Sequence, residues 1–228
     1  DIIGDRYIAI TTEDTPTGRV VSIPLATPTD RSTWSELHPA SANVLCTLIV
    51  VGDRYVLVDL VDTYSRVRVF SAAGVLEWEV PLPEPGLVNM LTGSYVLYNM
   101  VDCVVSGGPD AIVFVFSSLR TSAALYRANL ARRTVEALTE PQNQLDALVH
   151  NFAVTSKDGA RVPYRVVARR DIDLAKPQPA IVFGYGGYAA AIVPGWTQFA
   201  TWIRNGGVLV MAHLRGGGEF GPDWWQQG

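Results

Sequence analysis

Two glycine-rich turns near the carboxyl end hold the residues best suited to chemistry. The first is Phe183-Gly184-Tyr185-Gly186-Gly187-Tyr188, directly after the apolar run Ala180-Ile181-Val182. The second is Arg215-Gly216-Gly217-Gly218-Glu219-Phe220-Gly221, directly after Val208 to Leu214. Glycines let a strand end turn sharply and leave the backbone or a flanking side chain facing a cleft. There Tyr185 would present a phenol, a neutral donor with an unperturbed pKa of about 10. Such a donor can stabilise the negative oxygen of a tetrahedral intermediate. Spacing alone favours a plainer role for Tyr185, a core tyrosine bonded to a backbone carbonyl.

Both turns also satisfy a dinucleotide fingerprint on paper. Gly216 to Gly221 fits G-x-G-x-x-G, and Gly184 to Ala189 fits the variant ending in alanine. The acidic partner of that motif is missing, since no Asp or Glu stands between the first turn and Gly207. A glycine-rich chain generates such matches cheaply, so nucleotide binding is set aside. A nucleophile is missing as well. Ser94 and Ser106 lie near glycines but fail the G-x-S-x-G spacing, and His38 and His150 build no triad.

These turns need a sheet to hold them. Between them, Trp196 to Asn205 reads as a short amphipathic helix with Trp196, Phe199 and Ile203 on one face and Ala200 beside them. Gly206 and Gly207 are natural stops. Strand, turn, helix, strand, turn is the βαβ unit of a parallel, doubly wound sheet, whose functional groups gather at the carboxyl ends of the strands. Just upstream, Lys157-Asp158-Gly159-Ala160 separates two β-rich runs, Phe152 to Ser156 and Val162 to Ala168, and predicts a hairpin.

The first two thirds of the chain repeat themselves. Gly4-Asp5-Arg6-Tyr7 returns as Gly52-Asp53-Arg54-Tyr55, each followed by apolar strand-like runs. A looser third copy begins at Asp110 and continues through Ala124 to Leu130 and Arg132 to Leu138. A period of about 40 to 50 residues with four strands per unit predicts β-propeller blades. Three blades do not close a ring. The expected fold is therefore a partial β-propeller over 1–148, followed by the opening part of an α/β domain over 149–228.

Composition agrees with a packed globular protein: 48% of residues are apolar and 18% charged in a chain of 228. A net charge of −4 offers no basic footprint for nucleic acid. The uncharged stretch from Pro177 to Ile203 is broken by Pro194 and several glycines, which argues against a membrane span. Cys46 and Cys103 lie in apolar strand-like runs and are expected as buried thiols. Two cysteines make no disulfide framework, which permits a cytosolic location. With no initiator methionine, and with Trp224-Trp225 close to the last residue, the chain reads as a piece of a longer protein.

The two glycine turns, in this order and some thirty residues apart, with Trp224 or Trp225 after them, resemble the prolyl oligopeptidase family of serine peptidases. The likeness is sharp over the last fifty residues, moderate over Asn151 to Pro179, and architectural over the repeats. It implies a β-propeller followed by an α/β-hydrolase domain. It also implies hydrolysis of short peptides after proline, through an acyl-enzyme on a serine, with neither metal nor cofactor. Position by position, Tyr185 matches the tyrosine whose hydroxyl forms half of the oxyanion hole. Tyr188 matches an aromatic position, usually phenylalanine, that lines the substrate pocket. Phe183 stands where many members have tyrosine. His213 replaces a common asparagine and is expected as a partly buried strand-end histidine outside the catalysis. Arg215 and Glu219 are expected to hold the second turn by ion pairing. The triad of Ser, Asp and His would lie beyond Gly228, so this polypeptide alone is expected to hydrolyse nothing. Its partners would be short peptides and the remainder of the hydrolase domain. An oligopeptidase B-like enzyme cutting after basic residues, an ester- or acylaminoacyl-cleaving relative, and a non-catalytic propeller that binds a protein partner remain open alternatives.

Overall fold

The computed structural model describes residues 1–88, 96–97 and 104–228, the pair 96–97 by its backbone alone. Cys103 and Ser94 lie outside the described residues. The chain begins with an antiparallel sheet of β1 (Ile2–Ile3), β2 (Arg6–Thr11), β3 (Arg19–Pro24) and β4 (Ser35–His38) in sequence order. A second follows, made of β5 (Val44–Val51), β6 (Arg54–Val61), β7 (Tyr64–Ser71) and β8 (Leu76–Val80). Two short strands come next, β9 (Leu87–Val88) and β10 (Val96–Leu97). The third sheet holds β11 (Val105–Ser106), β12 (Ala111–Ser117), β13 (Ala124–Asn129) and β14 (Thr134–Ala137), with β9 added against β12.

The repeated glycine has a conformational reason. Gly4-Asp5 and Gly52-Asp53 are the two-residue loops that join Ile3 to Arg6 and Val51 to Arg54 in their hairpins. Gly4 and Gly52 sit at φ +60° and +64°, where a Cβ is unwelcome. The next turn hides better. Asp62 and Thr63 also take positive φ, 48° and 70°, and bring Val61 directly opposite Tyr64. The sequence predicts a wider break there, through Ser65. A tight left-handed turn without glycine starts β7 two residues earlier.

The middle sheet is buried on both faces. Along β6, Val56 and Val58 pack with Ile112, Phe114 and Phe116 of the third sheet. Their alternate neighbours Tyr55 and Leu57 pack with Ile8 and Val20 of the first. A strand's side chains alternate in direction, so a strand covered on both faces needs a nearly unbroken apolar run. One polar residue breaks it. Asp59 is fully buried and receives Arg66 at 2.5 and 3.1 Å and Arg68 at 3.2 Å. Cys46, expected as buried, is half-buried in β5, with its thiol donating to the Val44 carbonyl at 3.3 Å.

A different sheet begins at Ala147. Strands β15 (Ala147–Thr155) and β16 (Arg161–Arg169) form the predicted hairpin, with Gly159 at φ +89° and Asp158 Oδ1 accepting the Ala160 N–H at 3.2 Å. Then come β17 (Ala180–Gly184), β18 (Ala191–Ile192), α1 (Ala200–Arg204), β19 (Val208–Ala212) and α2 (Pro222–Gln226). Spatial order is β15-β16-β19-β17, with β19 parallel to β17 and antiparallel to β16. The sheet is mixed, with one parallel pair rather than a doubly wound set. Strand β17 stands at its edge, and Val182 there is 74% exposed.

Helix α1 is shorter than the Trp196 to Asn205 span predicted for it. Pro194 and Gly195 precede a turn in which Thr197 accepts the Phe199 and Ala200 N–H groups, and helical bonding starts only after it. The predicted apolar face survives. Ala200 and Ile203 are buried with Leu209 and Met211, and Trp196 and Phe199 pack against the same cluster. Among the described residues no helix is long and apolar enough to cross a membrane.

Candidate functional site

Because β17 and β19 are parallel neighbours that end together, with Gly184 opposite Ala212, the two glycine turns lie side by side. They touch backbone to backbone. A Cβ on Gly186 would stand 2.6 Å from the Arg215 carbonyl oxygen, and one on Gly216 would strike the Gly186 carbonyl. The Gly216 carbonyl accepts the Ala189 N–H at 3.1 Å. Tyr188 and Ala189 take φ of 55° and 53°, left-handed values that strain a residue with a Cβ. Replacing Gly216 by alanine should therefore cost about 1–3 kcal/mol of stability, from its φ of +90° and the clash together. The midpoint of urea unfolding is the measurement, and an unchanged midpoint would contradict the close packing of the turns.

Tyr185 stands at the start of the first turn and is 42% exposed, not enclosed in the core. Tyr188 projects further, at 89% exposure. A cavity of about 760 Å³ opens nearby between the second sheet and the β15–β16 hairpin, lined by Tyr64, Arg66, Phe152, Tyr164, Arg165 and His213 among others. Neither Tyr185 nor Tyr188 belongs to its wall.

The second turn is held by two separate contacts. Arg215 pairs with Asp158 at the hairpin tip, which ties the turn to β15 and β16. Hydrogen bonding from Arg215 first, then from the Ala160 N–H and Ser156, holds the Asp158 carboxyl down to about 2. Glu219 is buried, and its Oε1 accepts the Ile192 N–H at 2.9 Å. Facing it is His213, whose Nδ1 lies 3.7 Å from Glu219 Oε1, beyond hydrogen-bond length and with a neutral ring, so the ion pairing expected of Glu219 is replaced by its bond to Ile192.

His213 is expected to be partly buried, and it is 1% exposed. Burial pushes its imidazole below the ordinary value; Glu219 opposes that shift and the Arg165 charge adds to it. Arg165 Nη1 meets His213 Nε2. A guanidinium only donates, so Nε2 accepts and the proton of the neutral ring sits on Nδ1, toward Glu219.

Spacing did not single out Arg165. Its signal was nonetheless present: in a strand, Arg165 shares a face with Val167, which is fully buried. An arginine at such a position has to be solvated by the protein. The remaining candidates have local roles. Ser106 is exposed and bonded within its own turn to Gly108. His38 contacts Arg68 at 3.2 Å, and His150 stacks with Phe152. The dinucleotide reading fails on context as well. The first turn runs into β18 rather than a helix, and the second leads to a five-residue helix with Asp223 in its first turn, where a phosphate would be repelled.

Three stacked antiparallel sheets, each built from consecutive strands, define the first part of the chain as blades of a β-propeller. Residues 2–141 match the family model for the N-terminal β-propeller domain of prolyl oligopeptidase. The chain belongs to the prolyl oligopeptidase family. It is similar to the uncharacterized peptidase y4nA of Sinorhizobium fredii, at 32% identity over 77% of this chain and 24% of that protein. It is also similar to the prolyl endopeptidase of Elizabethkingia meningoseptica, at 22% identity over 100% of this chain and 31% of the relative. A solved structure from a study of two prolyl endopeptidases superposes over 100% of this chain and 32% of its own, with TM-score 0.84 and 29% identity. The chain thus spans from 24% to 32% of the length of these relatives.

Proposed function

We propose that the chain is part of a serine oligopeptidase, contributing propeller blades over residues 1–148 and the opening of an α/β-hydrolase domain over 149–228. The observation that carries this reading is the position of Tyr185: at the carboxyl end of β17, beside the turn that follows the parallel strand β19, and open to solvent. Active groups of α/β sheets gather at that edge. A serine supplied from beyond Gly228, with an Asp and a His, would attack the scissile carbonyl carbon. As the carbonyl oxygen gains charge, the Tyr185 phenol donates to it. The backbone N–H after the serine completes the pair of donors. Collapse expels the amine and leaves an acyl-enzyme, which water then hydrolyses. Tyr188, nearly fully exposed beside it, lines the substrate. The exposed edge of β17 receives the remainder of the hydrolase sheet, and the blades cap the site and admit short peptides.

Cleavage after proline is the specificity proposed, in line with the relatives named prolyl endopeptidases. In initial-rate assays of the full-length protein, a short peptide with proline before the scissile bond should be cut at least tenfold faster than matched peptides with arginine or alanine there. Faster cutting after arginine would replace proline by basic specificity, and no cutting of any of them would end the peptidase reading. The chain of residues 1–228 alone should turn over none.

A further inference from the structure

Arg165 is 4% exposed, and among the described residues no carboxylate lies within ion-pairing distance of it. Burying a cation without an anion is costly, so every bond that solvates it matters. Its Nε donates to the Tyr64 hydroxyl at 2.9 Å, and its guanidinium lies 4.3 Å above the Tyr64 ring. Nη2 donates to the Asp62 carbonyl, and Nη1 donates to His213. The Tyr64 hydroxyl in turn donates to Asn151 Oδ1 at 3.1 Å. On the propeller side these partners form the left-handed Asp62-Thr63 turn and its successor. On the other side they open the second glycine turn.

From His213 the contacts continue. Glu219, facing the imidazole, grips the Ile192 N–H, and Ile192 lies three residues past the strained Ala189. Ala189 is itself bonded to Gly216. The second glycine turn is therefore fastened through the buried His213 to one tight turn of the propeller, and the Glu219–Ile192 and Ala189–Gly216 bonds tie the first glycine turn to the second.

We propose that Arg165 is a positioning residue: it couples the Asp62–Tyr64 turn of the propeller to the loop that carries Tyr185, through His213 and Glu219. The proposal rests on Tyr185 being the oxyanion donor. Displacement of a donor by about 1 Å can cost up to ~10²-fold in rate. Loss of the propeller's hold on Arg165 thus reaches the reaction without any contact with substrate.

A double-mutant cycle in the full-length protein tests it, with kcat on a chromogenic proline peptide as the readout. Arg165→Met should lower kcat about tenfold in the native background. In the Tyr185→Phe background the same change should cost less than twofold, because the group it positions is gone. Equal losses in the two backgrounds would show a general structural role and overturn the proposal, as would an Arg165→Met enzyme with unchanged kcat. Tyr185→Phe with full activity would instead sink the oxyanion reading itself. If Arg165→Met does not fold, Tyr64→Phe removes the two hydrogen bonds of its hydroxyl, from Arg165 and to Asn151, and keeps the ring beneath the guanidinium. It should then show the same loss of effect in the Tyr185→Phe background, and equal losses there overturn the proposal equally.

Discussion

Tyr185→Phe in the full-length protein should lower kcat by about 10²–10³, equivalent to ~2.7–4 kcal/mol of transition-state stabilisation. In the proposed mechanism the phenol acts on charge that exists only after attack, while the ground-state carbonyl is a weak acceptor. The loss should therefore fall on kcat and leave KM within about twofold. Tyr185 is 42% exposed, so removing its hydroxyl should cost at most about 1 kcal/mol of stability, the usual net value of one hydrogen bond. Steady-state kinetics with thermal unfolding alongside would separate the two effects. An enzyme with native kcat would remove Tyr185 from the mechanism.

The largest stability effect should come from the middle blade. Asp59 has no exposed surface, and it neutralises Arg66 and the 7% exposed Arg68. Asp59→Ala leaves the Arg68 charge buried without an anion, a change of about 3–5 kcal/mol in comparable buried pairs. Arg66 has 29% of its side chain exposed and can turn to water, so Arg68 should account for most of the loss. His38 offers no replacement anion. Its imidazole is held below the ordinary value by burial first and then by Arg68, while Asp59 pulls it upward. Urea unfolding followed by tryptophan fluorescence should show the lower midpoint, with Trp78 of β8 in the affected sheet. A loss below about 1 kcal/mol would mean that water enters and solvates Arg68.

Much of the architecture was readable because local rules agree with the fold. The Gly-Asp pairs at positions 4 and 52, read from sequence only as a repeat, are both two-residue hairpin loops, and Asp158-Gly159 closes the hairpin predicted there. Val208 to Ala212 and Ala180 to Gly184 pair in parallel, as a crossover requires. What sequence could not show was left-handed backbone at Asp62 and Thr63, where neither residue advertises positive φ as glycine does. It also overextended the helix, because periodicity registers Trp196 and Phe199 but not the turn that Thr197 imposes. Tyr185 and Tyr188 enter the proposed site only through resemblance, since a tyrosine after a strand has several uses. Arg165 and His213 stand 48 positions apart, and no spacing rule links an arginine of one strand to the end of another.

Strand β17 has a consequence of its own. Among the described residues no strand pairs with its outer side, and apolar Val182 there is 74% exposed. Such a border recruits whatever extended peptide reaches it first. Concentrated samples of residues 1–228 should consequently pair with one another there and grow larger with concentration. A covering strand added in the same polypeptide would stop that growth by occupying the border before a second molecule could.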